Sequence, residues 1–323
     1  MTHVHHEAPL EAPIEASVDG SGDSRERATL RDVLMAYVGL TKPRVIELLL
    51  LTTVPVMFYA AKGIPPLGLV AATVLGGTLS AGSASALNCV YDRDIDEQMR
   101  RTRRRALPLH IVSPSAAIAF GVVLGVLATV ILVIWVNTLS ALLALVAEAF
   151  YLLVYTVWLK RRTTQNIVWG GLAGCFPALI GWTAVTNDLA WPPIVLFMVV
   201  FFWTPPHTWA LALRYREDYA GVDVPMLPVV APAPEVGRQI ALYSWATVAT
   251  SLAFWWVAQA GPVYLVAAFV LGVVFLIEAH RLWARTKRSD VLSEIAPMRL
   301  FHLSNLYLAL LFVAVALDPL VTG

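Results

Sequence analysis

From Val45 onward the chain alternates between long apolar runs and polar connections. Nine runs are long enough to cross a hydrocarbon core of ~30 Å: 45–61, 67–90, 114–135, 138–158, 166–186, 193–213, 239–258, 263–280 and 301–317. Each predicts a membrane-spanning helix, because only a helix satisfies its own backbone polar groups in lipid. The connections at 62–66, 136–137, 187–192 and 259–262 are short, and those at 91–113, 214–238 and 281–300 are long. Residues 1–30 hold six acidic side chains, many Ala, Ser and Pro, and no long apolar run. They predict a disordered cytoplasmic tail ahead of one membrane-embedded domain, 31–323. No apolar h-region precedes residue 30, so no cleavable signal peptide is expected. The acidic start argues against a mitochondrial presequence and for a bacterial source. His3, His5 and His6 read as part of the solvated tail.

Composition agrees with this pattern. The chain of 323 residues is 58% hydrophobic and 14% charged, against about 45–50% and about 25% in soluble domains. An ordinary soluble enzyme, a disordered chain and a basic-patch nucleic-acid binder are excluded. Two cysteines, Cys89 and Cys175, lie in apolar stretches and argue against a disulfide framework or a CxxC metal site.

Charge placement sets the orientation. With the N-terminus in the cytoplasm, 22 of the 23 Lys and Arg fall in cytoplasmic pieces and only Lys62 falls outside. This is the positive-inside pattern, and it supports both the span count and an external C-terminus. Glu47, Glu148 and Glu278 lie in or near spans. Most other acids sit at cytoplasmic helix ends, which fits chemistry at the membrane face better than a conduction path. The expected location is the bacterial inner membrane, multi-pass, with the site toward the cytoplasm.

The second span ends in Asn88-Cys89-Val90-Tyr91-Asp92-Arg93-Asp94-Ile95-Asp96. If the helix continues, Asn88, Asp92 and Asp96 stack on one face at intervals of four, with Asp94 on another. Stacked like charges repel, and a divalent cation removes the repulsion. Hard oxygen donors beside a substrate phosphate describe a Mg²⁺ site. Arg100, Arg101, Arg103, Arg104 and Arg105 follow. Arginine matches phosphate oxygens in pairs, so the neighbourhood suits a diphosphate; the plain alternative is a lipid-headgroup anchor.

The sixth span ends in Trp203-Thr204-Pro205-Pro206-His207-Thr208-Trp209. Two prolines predict a kink and a nearby cavity. His207, costly in a span, is a candidate haem ligand or hydrogen-bonding group; its bland alternative is a partner among the backbone carbonyls that the prolines free. Asp218 stands at a helix end on the same membrane face as Asp92, so two acidic clusters are expected around one diphosphate. Tyr155 leads into Lys160-Arg161-Arg162, where Lys160 or Arg161 meets the same phosphates or serves only topology.

At this point the chain resembles the UbiA superfamily of intramembrane prenyltransferases, and within it the haem-modifying branch. Residues 88–108 (NCVYDRDIDEQMRRTRRRALP) are similar to its N-x3-D-x3-D segment with M-x-R-T-x-x-R-x-L-P. Residues 155–182 are similar to Y-T-x-x-L-K-R…N-I-V-x-G-G…G-W. Residues 203–230 are similar to W-T-P-P-H-F-W-A-L-A…D-Y…P-M-L-P-V, and Thr41-Lys42-Pro43-Arg44 to the start of the family's first span. The likeness runs from about residue 35 to 310; its acidic segment marks the superfamily and its W-T-P-P-H block the haem branch.

The resemblance implies an all-α bundle of nine transmembrane helices. It implies a prenyltransferase that joins farnesyl diphosphate to a vinyl group of haem b, with water, to give haem O for terminal oxidases. By the match, Asn88, Asp92, Asp96 and Asp218 serve catalysis through Mg²⁺, Arg101, Arg105, Lys160 and Arg161 serve the diphosphate, and His207 faces the haem. Farnesyl diphosphate, haem b and the lipid bilayer are the implied partners, a downstream haem A synthase is a candidate one, and nucleic acid is not. Asp218-x4-Asp223 departs from a D-x3-D spacing and leaves Asp223 open as a ligand, and Thr208 stands where the family has Phe. Two other readings compete. A prenyltransferase acting on a quinone precursor or chlorophyllide would keep the same diphosphate site. A transporter or oxidase assembly factor would need ionisable groups along its spans.

Overall fold

The computed structural model describes residues 29–322. The predicted tail lies outside the described residues except for its last two, which cap and open a helix. Thr29 caps α1 (Leu30–Thr41), accepting from the Asp32 amide while the Asp32 carboxylate accepts from the Thr29 amide. This capping box satisfies two free amides at the helix start. α1 exposes Leu30, Leu34 and Met35 and packs on the third helix.

Lys42 turns the chain at φ 54° into α2 (Pro43–Ala61). α3 (Leu67–Tyr91) is followed by the short α4 (Arg93–Gln98), and α5 (Pro114–Trp135) starts at the Ser113 cap. α6 (Thr138–Ala149) passes without a break into a π-helix (Phe150–Leu159). α7 (Asn166–Gly170), a 3-10 segment (Gly171–Cys175) and α8 (Phe176–Thr186) together make one span. α9 (Trp191–Arg214), α10 (Arg216–Ala220) and α11 (Leu227–Val230) precede α12 (Ala233–Ala258). α13 (Pro262–Thr286), α14 (Leu292–Ile295) and α15 (Pro297–Thr322) complete the described chain.

Nine helices among the described residues are long and apolar enough to cross a membrane, as expected. The chain is therefore a multi-span membrane protein. The last three are longer than their apolar cores, so the connections at 214–238 and 281–300 are shorter than predicted. Their added turns carry Glu235, Arg238 and Arg285; Arg238 pairs with Glu235 at 2.7 Å and Arg285 with Glu278 at 2.6 Å.

α3 packs on α5, and α8 on α2 and α6; α15 joins this group to α9, α12 and α13. Lipid tails are as apolar as the core, so packing and internal hydrogen bonds hold such a bundle. Trp203, Phe254, Tyr264, Phe275, Tyr307 and Phe312 fill the interior around α15. Several buried polar groups pair across helices, as Ser140 with Thr183 and Ser251 with Tyr307, each at 2.7–2.8 Å. Asp318 accepts from the Gly261 and Tyr264 amides and so caps α13 from across the bundle. α5 and α13 turn Val126, Val130, Phe269 and Val273 outward, toward the lipid.

Candidate active site

α3 and the π-helix end, and α2 begins, around one cavity of about 700 Å³, a size suited to small-molecule ligands. Asn88, Asp92 and Asp96 all line it. α3 stops at Tyr91 rather than running to Asp96, but Asp92 takes near-helical angles and the ladder continues. The Asp92 amide donates to Asn88 O and the Asp96 amide to Asp92 O, both at 2.9 Å. The three side chains therefore share a face, and each is under 4% exposed.

Each of the three acceptors holds a cation. Lys42 Nζ donates to Asn88 Oδ1 at 2.6 Å. Lys160 Nζ donates to Asp92 Oδ2 at 2.5 Å, and Arg105 Nη1 to Asp96 Oδ2 at 2.6 Å. Asn88 Nδ2 donates to Asp92 Oδ2 and to Thr156 Oγ1. Burial holds the Lys160 ammonium below its ordinary pKa, and Asp92 pulls the other way. Arg101 and Arg44 also line the cavity.

Asp92 Oδ1 is buried and accepts no hydrogen bond. An orphaned carboxylate oxygen, with Asp96 and Asn88 on the same cavity wall, fits a hard divalent cation that shares its shell with phosphates. The acids do not suffice alone: among the described residues no three His, Cys, Asp or Glu side chains come together as a metal site.

The π-helix shapes the opposite wall. Its i→i+5 pattern runs to Lys160, whose amide donates to Tyr155 O at 2.9 Å, and Thr156 Oγ1 donates to Tyr151 O five residues back. Tyr151, Tyr155 and Lys160 all line the cavity, and Thr156 meets Asn88. Gly170 leaves room for the Tyr155 ring: a Cβ there would sit 2.1 Å from Tyr155 Cδ2. π turns occur often at functional sites.

The cavity has an apolar extension. Lys42, Val45 and Tyr151 line both the cavity and a crevice between α2, α3, α6 and α8. Leu49, Leu50, Ala81, Ala84, Ala147 and Phe176 give that crevice its walls. A second apolar surface faces the cavity, from Ile95 and Met99 in the 91–113 segment, Val224 and Met226 in the 214–238 segment, and Ile167 of α7.

Other expected site residues stand elsewhere. Arg161 does not line the cavity; it grips Asp94 with two bonds of 2.7 Å and reaches Asp92 at 3.6 Å. Its guanidinium holds the Asp94 carboxyl below the ordinary carboxylate value. Asp218 lies 3.8 Å from Arg100 and does not line the cavity, although its neighbour Tyr219 does. Asp223 is exposed, at φ 53°.

α9 stays helical from Trp191 to Arg214 through Pro205 and Pro206. α15 braces this stretch: Trp203 Nε1 donates to Ser304 O at 2.8 Å, and His207 and Phe301 stack at 4.5 Å. The Ser304 hydroxyl donates to Phe301 O, so His207 Nδ1 donates to Ser304 Oγ at 2.8 Å. His207 also stacks on Trp203 at 4.3 Å. It does not line the cavity, whereas Thr208 does.

Lys42, Arg44, Glu47, Tyr151 and Thr156 join the site without having been picked out. Lys42 and Arg44 had a signal in the Thr-Lys-Pro-Arg run. Thr156 had none, because its role depends on the π turn.

The UbiA prenyltransferase family matches residues 49–317. A protoheme IX farnesyltransferase of Nocardioides sp. is 76% identical over 298 residues, covering 92% of this chain and 95% of its own. A solved structure of a digeranylgeranylglyceryl phosphate synthase superposes with a TM-score of 0.71 at 14% identity, covering 89% of this chain and 99% of its own. A UbiA homolog from Archaeoglobus fulgidus, bound to DMAPP and Mg²⁺, superposes with a TM-score of 0.62 at 16% identity, covering 87% and 99%. At such identities the two structures speak for the fold alone.

Proposed function

The chain belongs to the UbiA prenyltransferase family, and from that premise we propose that it transfers a farnesyl group from farnesyl diphosphate to a vinyl group of haem b, adding water, to give haem O and diphosphate. The observation that carries the site is the joining of one polar cavity, walled by Asn88, Asp92, Asp96 and five basic side chains, to an apolar crevice at Lys42, Val45 and Tyr151. A diphosphate with an isoprenoid tail needs that pair of environments. The 76% identical relative named protoheme IX farnesyltransferase supports haem as the acceptor.

Lys42, Arg101, Arg105 and Lys160 take the diphosphate oxygens, and Lys42, Arg105 and Lys160 exchange their present acceptors for phosphate. Asn88, Asp92 and Asp96 hold Mg²⁺, which supplies charge neutralisation for the leaving group. The tail lies in the crevice between α2 and α6. The C1–O bond breaks with its electron pair going to diphosphate, and the allylic cation forms beside the Tyr151 and Tyr155 rings, whose faces attract positive charge. The terminal vinyl carbon of haem b attacks C1. The cation then sits on the vinyl carbon next to the ring, water adds there, and its proton leaves to solvent. Ile95, Met99, Ile167, Val224 and Met226 give the porphyrin an apolar surface. Excluding water from the first cation prevents simple hydrolysis.

The charge distribution supports a site on the cytoplasmic face of a bacterial membrane. Arg161 acts at the rim, by holding Asp94 and approaching Asp92. Asp218 and His207 support the walls rather than touch the diphosphate.

The test is incubation of membranes containing the full chain with haem b, farnesyl diphosphate and Mg²⁺, followed by mass spectrometry of the haems. A haem heavier by one farnesyl group plus water, lost in Asp92→Ala, is the expected result. Unchanged haem b with Mg²⁺-dependent diphosphate release would move the acceptor to another molecule.

A further inference from the structure

Among the described residues, Glu148 is the only acidic side chain lining the apolar crevice. The reaction above has no use for it. Ser83 Oγ donates to Glu148 Oε1 at 2.5 Å and Ser80 Oγ to Oε2 at 3.3 Å, so both carboxylate oxygens are satisfied within the bundle. Gly125 of α5 makes room for the pair: a Cβ there would lie 2.9 Å from Ser83 Oγ and 3.2 Å from Glu148 Oε1. A carboxylate facing hydrocarbon is costly, and here it is fixed in place rather than free to reach the polar end.

We propose that Glu148, held by Ser80 and Ser83, is a specificity-determining residue that limits the prenyl chain to about three isoprene units. The inference rests on placing the tail in the crevice. Ser80 precedes Asn88 by eight residues on α3, which is about 12 Å of helix. A farnesyl tail starting at the Asn88–Asp92 level therefore ends near the Glu148 carboxylate. The crevice itself continues past it to Gly77 and Thr73, so space alone does not stop a longer tail. Polarity does: a fourth isoprene unit must lie against a carboxylate and two hydroxyls, forfeiting apolar contact and disturbing their hydrogen bonds. Removing the carboxylate leaves Ser80 and Ser83 free to bond carbonyls of their own helix, and the apolar path opens.

The test is a competition between farnesyl and geranylgeranyl diphosphates, with haem b and Mg²⁺, in membranes carrying the full chain. The product ratio is read by mass spectrometry. Glu148→Ala should shift the ratio toward the longer product about tenfold, the scale set by small changes in an apolar pocket, while Glu148→Gln keeps the farnesyl preference. An unchanged ratio in Glu148→Ala, with farnesyl transfer intact, overturns the proposal. The wild-type chain gives an independent reading through a farnesyl diphosphate analogue with a diazirine on its last isoprene unit. Crosslinks at Glu148 and its neighbours on α3 and α6 support the proposal. Crosslinks at Gly77 or Thr73 overturn it while leaving the tail in the crevice, and crosslinks on the Met99–Met226 surface overturn the tail placement itself.

Discussion

Lys160 and Asp92, 68 residues apart in sequence, meet at 2.5 Å where the π-helix ends beside α3. Asp92 is 2% exposed at its side chain and Lys160 16%. Removing one partner of a buried pair strands the other charge, at a cost of ~3–5 kcal/mol. Lys160→Met and Asp92→Asn should each lower stability toward that scale, and the double variant should lose less than their sum. Denaturant unfolding of the purified protein measures the cycle. Farnesyl transfer should be lost in all three variants, because the double variant restores charge balance but not the phosphate and cation contacts.

The Arg161–Asp94 pair at the rim should behave differently. Asp94 is about half exposed, and exposed pairs add little. Its carboxyl titrates below the ordinary value of 3.8 because of Arg161. A carboxyl with a depressed folded-state pKa stabilises above its unfolded value and loses that contribution as pH falls through the lowered one. The stability difference between wild type and Asp94→Asn should stay level from neutral pH down to about 4 and close only below it. Added salt should shrink it at neutral pH. A difference that closes between pH 6 and 5 would assign the effect to another group.

The nine spans were legible because lipid leaves a chain no other way to cross. Asn88, Asp92 and Asp96 were legible because helical spacing survives the small break at Tyr91–Asp92. Lys42 was harder to read: its role depends on a left-handed turn between α1 and α2 that brings it to Asn88, 46 residues away. The π-helix leaves no trace in hydropathy, so Thr156 and the Tyr151–Tyr155 wall could not be placed. Asp218 was read from its helix end and the family match, and His207 from its apolar span, its prolines and the W-T-P-P-H block. None of these signals says which neighbour a side chain meets; here Arg100 lies nearest Asp218 at 3.8 Å and Ser304 bonds His207.

Gly170 seats the Tyr155 ring, and this can be tested without touching a charged group. A methyl at position 170 overlaps Tyr155 Cδ2, so Gly170→Ala must push the ring toward the cavity. Overpacking of this kind costs ~1–3 kcal/mol. The variant should show a lower melting temperature and a fall in kcat for farnesyl transfer. Gly68→Ala, which meets nothing within 4 Å, should leave both near wild type.

His207 gives the last prediction, which separates packing from ligation. Its ring lies between Trp203 and Phe301, and its Nδ1 donates to Ser304 Oγ. Ser304→Ala removes that acceptor and leaves a buried donor unpaired, which costs ~1–3 kcal/mol. Melting of the purified protein should fall accordingly. If His207 only braces α9 against α15, the Soret spectrum of haem b added to Ser304→Ala matches wild type at equal occupancy. An iron-ligating imidazole would respond, because the hydrogen bond on its other nitrogen sets ring orientation and basicity. A shifted Soret band in Ser304→Ala would therefore return His207 to the acceptor site. An unshifted band with a lowered melting temperature fixes it as the joint that holds α9 against α15 beside its two prolines, next to Thr208 on the cavity wall.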